Sequence, residues 1–140
     1  MHDAKIEKQL VQAAIQCREN AYAPYSGFKV GAAVLGSNGK IYTGCNVENA
    51  SYGAGICAER TALVKMVSDG CISFQTIAIV GNYEEEDKTA PCSICRQQML
   101  EFCEGLDTTT VLLAGLNEKY KAHTLREFCP YPFMKSDLEA

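Results

Sequence analysis

No apolar run in this sequence approaches the roughly 20 residues that a transmembrane helix requires, so a membrane partner is not expected. The N-terminal stretch MHDAKIEKQL lacks the long apolar segment of a secretory signal, and none is expected. Positive charge is in deficit. Lys and Arg number 13 against 17 Asp and Glu, a net charge of −4. That balance argues against a nucleic-acid binder and against a polybasic membrane binder. Linkers, internal repeats and low-complexity segments are also missing. The 140 residues therefore read as one domain over positions 1–140. Apolar residues make up 47% and charged residues 21%, an ordinary globular composition. Mass scaling gives roughly 7,000 Å² of folded surface against roughly 22,000 Å² unfolded, enough burial for a core without disulfide staples.

What the chain does have is cysteine: Cys17, Cys45, Cys57, Cys71, Cys92, Cys95, Cys103 and Cys129. With no export signal and a sufficient core, these read as reduced thiols of a cytoplasmic protein. Most are expected to be buried small hydrophobes, and those with metal-ligand spacing are candidate ligands.

Hydrophobic periodicity sets the expected elements. Ile6, Leu10, Ala14, Cys17 and Ala21 form one helical stripe, widened by Val11 and Ile15, over Asp3 to Ala21. Pro24 and Gly27 end it. Phe28 to Leu35 and Lys40 to Val47 read as strands joined at Ser37-Asn38-Gly39, where Asn-Gly accepts positive φ. Cys57 to Val67 and Ser93 to Cys103 read as helices. Thr76 to Gly81, Thr109 to Gly115 and Lys119 to His123 read as strands. The acidic segment NYEEEDKTA reads as a solvated loop, and LREFCPYPF as an irregular tail. Strands alternating with helices after an opening hairpin imply an α/β protein, a three-layer α/β/α sandwich around a mixed sheet of roughly five strands.

Three cysteines stand apart. Cys57 lies in Cys57-Ala58-Glu59, and Cys92 and Cys95 lie in Pro91-Cys92-Ser93-Ile94-Cys95. All three fall at expected helix starts, where unpaired backbone N–H groups and the positive dipole end favour a thiolate. Thiolate is the form that binds zinc. One helix plus one strand separates the two motifs, so a parallel crossover brings both helix starts to one edge of the sheet. Three ligands leave a tetrahedral position open for water. Glu59, two residues from one ligand, could take a proton from that water and pass it on. A closed structural site, with Cys45 or Cys71 as fourth ligand, is the competing reading. Three thiolates on Zn²⁺ leave a formal local charge of −1. Arg60 or Arg96 could donate hydrogen bonds that offset it, Arg60 being the first choice.

The order C-x-E, then P-C-x-x-C, is the zinc deaminase pattern in its three-cysteine form. With it, Pro24 to Ala33 (PYSGFKVGAA), Gly44 to Tyr52 (GCNVENASY), Cys57 to Arg60 (CAER) and Pro91 to Gln97 (PCSICRQ) resemble the cytidine deaminases in their short, homotetrameric form. The resemblance covers nearly the whole chain. It implies hydrolytic deamination of cytidine and 2′-deoxycytidine in pyrimidine salvage, with one Zn²⁺ per subunit held by Cys57, Cys92 and Cys95 and with Glu59 as catalytic residue. It further implies Asn46 and Glu48 on the ribose 3′-hydroxyl, Phe28 against the pyrimidine, and Tyr52 at the ribose end of the pocket. Backbone groups around Ala58 would hold the base edge, and Phe133 would line a neighbouring subunit's pocket. The residues agree with these roles. Asn46 and Glu48 share a strand face at period two, an amide and a carboxylate suit sugar hydroxyls, and a carboxylate there disfavours a phosphate. The chain departs from the family pattern at Gly53-Ala54-Gly55, at Ser93-Ile94 and at Phe128-Cys129-Pro130, which bears on pocket size and subunit contacts and leaves the ligands and Glu59 themselves unchanged.

Other readings remain: a blasticidin S deaminase-like enzyme, a nucleic-acid deaminase, which the acidic charge disfavours, or a zinc-stabilised module without activity. His2 and His123 lie outside every motif, and His123 reads as an exposed strand residue.

Overall fold

A computed structural model describes residues 4–139. Helix α1 (Ala4–Arg18) is followed by strands β1 (Gly31–Gly36) and β2 (Ile41–Cys45) and a single 3₁₀ turn at Tyr52–Ala54. Helix α2 (Ala58–Ser68), strand β3 (Phe74–Val80) and helix α3 (Ser93–Phe102) come next. Strands β4 (Thr110–Ala114) and β5 (Tyr120–Thr124) precede two short helices, α4 (Leu125–Phe128) and α5 (Lys135–Leu138). The expected start of the first helix, Asp3, and His2 lie outside the described residues. Its expected end at Ala21 is three residues too late. The N–H groups of Glu19, Asn20 and Ala21 each turn back to the carbonyl three residues before, which tightens and ends the helix.

The sheet is mixed, in the order β2-β1-β3-β4-β5. Strands β3 and β4 pair in parallel and the other neighbours are antiparallel. Alternation across the pleat builds the two faces. Ala32, Val34, Ile77, Ile79, Val111 and Leu113 meet α2 and α3 on one side. Ala33, Leu35, Ala78, Val80, Leu112 and Ala114 meet Leu10, Val11 and Ala14 of α1 on the other. The three-layer α/β/α expectation is met, and so is the Asn-Gly hairpin, with Gly39 at φ +84°.

Two glycines let the helices approach the sheet. A Cβ at Gly31 would sit 2.0 Å from the Ala14 carbonyl oxygen, and one at Gly44 would sit 2.5 Å from the Ala62 nitrogen. No larger residue fits either position without moving a helix. The contact at Gly44 fixes how α2, and hence Cys57, lies on the sheet.

Two sequence readings are corrected. The tail is not irregular throughout: Thr124 and Glu127 form a reciprocal capping box that starts α4. The acidic segment is the exposed loop expected of it. Its backbone docks on the β4–β5 connection through Leu116 N–H to Tyr83 O and Asn117 N–H to Glu84 O. His123 is half-buried rather than exposed, with Nε2 2.7 Å from Asp87 and Nδ1 3.1 Å from Glu127. Burial works to lower its pKa, but these two carboxylates outweigh it and the net shift is upward. A folded-state pKa raised above the unfolded value of about 6.5 adds stability that is fully present below that value and fades as pH rises through the folded one. The melting-temperature gap between the wild type and His123→Gln is therefore expected to be widest near pH 5.5–6 and to shrink above neutrality, read by thermal denaturation across pH.

Candidate functional site

The parallel β3–β4 pair does what the sequence spacing requires. It brings the starts of α2 and α3 to one end of the sheet, with Cys57 and Cys92 as the residues that cap the two helices. Among the described residues, Cys57, Cys92 and Cys95 form the one cluster whose metal-ligating atoms all lie within 4.8 Å of one another. The Cys57–Cys92 sulfur separation is 3.7 Å and the Cys92–Cys95 separation 3.3 Å. Two sulfurs about 2.3 Å from one tetrahedral ion stand about 3.8 Å apart, so the donor set fits zinc. Cys45 and Cys71 are outside the cluster: Cys71 donates to the Ser73 carbonyl, and Cys45 lies beside Cys17. Neither supplies the fourth ligand of a closed site.

The electrostatics favour thiolate at Cys57. The Cys57 thiol is pulled down to about 5 by the hydrogen bond from Cys95, against burial and with help from Arg60 and Cys92. The same bond and burial push Cys95 up. Arg60 Nη2 lies 3.8 Å from Cys57 Sγ. Arg96 points elsewhere. It donates to the Pro91 and Phe128 carbonyls, and its guanidinium stacks 5.3 Å from the Phe128 ring centroid. Of the two candidate arginines, Arg60 is therefore the one at the thiolates.

Glu59 is buried at 4% exposure. Burial pushes its carboxyl up to about 7; the Cys57 charge adds to this, while its backbone N–H and Arg60 oppose it. It lines a cleft of about 340 Å³ together with Phe28, Val30, Ala58, Cys57, Cys92, Thr89 and Ala90. A second hollow, of about 420 Å³, adjoins it through Ser26, Asn46, Glu48 and Cys57, and extends to Tyr25, Asn49, Tyr52 and Arg60. The two share Ser26, Asn46, Glu48 and Cys57 and make one cleft, which Cys92 and the buried carboxyl also line.

Strand β2 ends at Cys45, two residues earlier than expected, yet the alternation persists and puts Asn46 and Glu48 on the cleft. A two-bond bridge between Val47 and Ile56 (both 3.0 Å) ties this segment to the residue before Cys57. Asn46 holds the Phe28 segment on both sides: Oδ1 accepts Val30 N–H at 2.9 Å and Nδ2 donates to the Phe28 carbonyl at 2.8 Å. Glu48 accepts the N–H groups of Tyr25 and Ser26 and the Ser26 hydroxyl. The Ser26 bond is the largest cause of its lowered pKa. Tyr52, 83% exposed, meets Tyr25 edge to face at 6.4 Å. Phe133 is not in this cleft. It lines a separate groove with Arg96, Gln97 and Phe128, held by Gln97 Nε2 on its carbonyl.

Sequence reasoning assigned no role to Ser26, Thr89 or Ala90. The last two precede the Pro91-Cys92 motif directly, which was the available signal. Burial of the cysteines was overestimated: only Cys71, Cys95 and Cys129 are buried, and Cys92 is exposed.

A family model described as "Cytidine and deoxycytidylate deaminase zinc-binding region" matches residues 4–112. The chain is 44% identical over 131 residues to a cytidine deaminase of Sporosarcina psychrophila, covering 94% of this chain and 93% of that protein. It is 41% identical over 140 residues to a probable cytidine deaminase of Dictyostelium discoideum, covering 100% and 91%. The crystal structure of a cytidine deaminase from Burkholderia pseudomallei superposes with a TM-score of 0.80 at 44% identity, covering 89% of this chain and 97% of that one.

Proposed function

Because the chain belongs to the cytidine and deoxycytidylate deaminase family, we propose that it hydrolyses cytidine and 2′-deoxycytidine to the uridines and ammonia, in pyrimidine salvage. The observation that carries the reading is a buried carboxyl, Glu59, lining the same cleft as Cys57 and Cys92, two of the three clustered sulfurs. Cys57, Cys92 and Cys95 hold one zinc per subunit, and zinc bound there supplies a water acidic enough to act as nucleophile near neutral pH. Glu59 would take one proton from the attacking water and deliver it to N3 of the pyrimidine, then take that water's second proton and deliver it to the amine, which leaves C4 as ammonia when the C4–N bond breaks. Burial, which pushes this carboxyl up, favours the protonated form that delivers a proton. Arg60 offsets the excess negative charge of the three thiolates. Phe28 packs against the base, backbone groups at Ala58 hold its edge, and Asn46 and Glu48 bind the ribose 3′-hydroxyl. Tyr52 shapes the ribose end.

In this reading residues 1–140 act as one catalytic domain, and the subunits form a homotetramer. Exposed aromatics support that assembly: Tyr131 at 97% and Phe133 at 60% lie by the groove at the start of α3, where a neighbouring subunit's pocket would cover Phe133. Thiolate ligands suit the reducing cytoplasm, and no helix among the described residues is long and apolar enough to cross a membrane.

The test is an ultraviolet assay of cytidine with the zinc-loaded protein and a chelated control. Zinc-dependent conversion to uridine is expected. A folded, zinc-loaded protein that turns over neither cytidine nor 2′-deoxycytidine would overturn the reading in favour of another amino-heterocycle or a module without chemistry.

A further inference from the structure

The sugar end and the base end of the cleft share one hydroxyl. Ser26 Oγ donates to Glu48 Oε2 and accepts the Phe28 N–H at 3.0 Å. Glu48 Oε1 takes the two neighbouring N–H groups, of Tyr25 at 2.9 Å and Ser26 at 3.1 Å. On the other side of Phe28, the carbonyl is held by Asn46 at 2.8 Å. Both polar groups of the Phe28 backbone are therefore gripped by the residues that line the sugar half of the cleft. Gly27 makes this arrangement possible. At φ +70°, it turns the chain so that Phe28 N–H faces back to the preceding side chain.

We propose that Ser26 is a positioning residue that couples the ribose-binding carboxylate to the base-packing ring and thereby sets selectivity for a 3′-hydroxyl. The inference rests on the nucleoside reading of the cleft. A carboxylate that accepts three bonds from one turn is held in a single rotamer, with lone pairs left over for a substrate hydroxyl. Without the Ser26 hydroxyl, Glu48 keeps two backbone donors to one oxygen, and the other oxygen swings free. The carboxylate then loses orientation toward the sugar, and Phe28 N–H loses its acceptor. Occupancy of the sugar subsite by the correct hydroxyl steadies Glu48. Through Ser26 it steadies the segment that carries Phe28, so binding at one end improves alignment at the other.

The experiment compares cytidine with 3′-deoxycytidine, measuring kcat and KM separately for the wild type, Ser26→Ala, Ser26→Thr and Glu48→Gln. The wild type is expected to prefer cytidine. Ser26→Ala is expected to lower the ratio of kcat/KM values for the two substrates about tenfold, the scale of one hydrogen bond to a charged group. Ser26→Thr, which keeps the hydroxyl, is expected to restore the ratio. Circular dichroism and zinc content establish that each variant is folded and loaded. Equal losses on both substrates would overturn the proposal and leave Ser26 as a loop tie only, and so would an unchanged ratio. If Glu48→Gln keeps the full preference for cytidine, the ribose role of Glu48 falls first and the Ser26 role falls with it. If the wild type turns over neither nucleoside, the nucleoside reading itself is at fault.

Discussion

Glu59→Gln is expected to fold and to retain its zinc, yet to lose about 10⁴-fold in kcat, the upper end of what a positioned general acid–base group supplies. Glutamine matches the carboxyl in shape, so the buried site at the start of α2 is refilled without a cavity. It also removes the negative charge that burial penalises most at this position, so stability should not fall. What the amide cannot do is carry a proton. The proposed reaction asks the same carboxyl to protonate the ring and then the leaving amine, and burial raises its affinity for the proton it must carry. Loss of both transfers places the effect in kcat rather than in KM. Steady-state kinetics on cytidine, with zinc measured by atomic emission, check it. Turnover within about tenfold of the wild type would remove Glu59 from the proton path.

The chemistry was legible because it is local. Helix starts put Cys57, Cys92 and Cys95 at positions where thiolates are favoured, and the order of the two motifs implies a crossover that closes the cluster. Elements with a strong period were also legible, since the alternation of Ala32, Ala33, Val34 and Leu35 follows directly from the pleat. What escaped depends on atoms distant in sequence. The strand reading gave Gly31 and Gly44 no role, and the close approach of α1 and α2 supplies one. Arg60 and Arg96 stand in similar places beside the motifs. The Pro91 and Phe128 carbonyls capture Arg96, and no count along the chain foretells that. His123 looked exposed because its neighbours on β5 are polar, while Asp87 and Glu127 close over it. The capping box at Thr124 and Glu127 also escaped, although a T-x-x-E pattern was there to signal it.

Cys92→Ser is expected to lose zinc on dialysis and, with it, activity. Of the three ligands Cys92 is the exposed one, so the smaller hydroxyl neither opens a cavity nor buries an unpaired polar group. Cys95 is fully buried, and the same change there would confound metal loss with a core defect. Even partners that only orient a ligand cost about 10–100-fold in metal affinity when lost, so removal of a ligand should weaken binding by at least about 10²-fold. Zinc joins the start of α2 to the start of α3, and a ligand that binds only the folded chain stabilises it in proportion to the logarithm of its affinity. A hundredfold weaker site gives up about 2.7 kcal/mol at saturating metal, a shift on the order of 10 °C in melting temperature for a chain of this size. The wild type should therefore melt higher with zinc than after chelation, and the gap should close in Cys92→Ser. The paired readout separates metal loss from damage to catalysis alone: a variant that kept one zinc per chain and the wild-type melting gap, whatever its turnover, would move the ligand set away from this cluster.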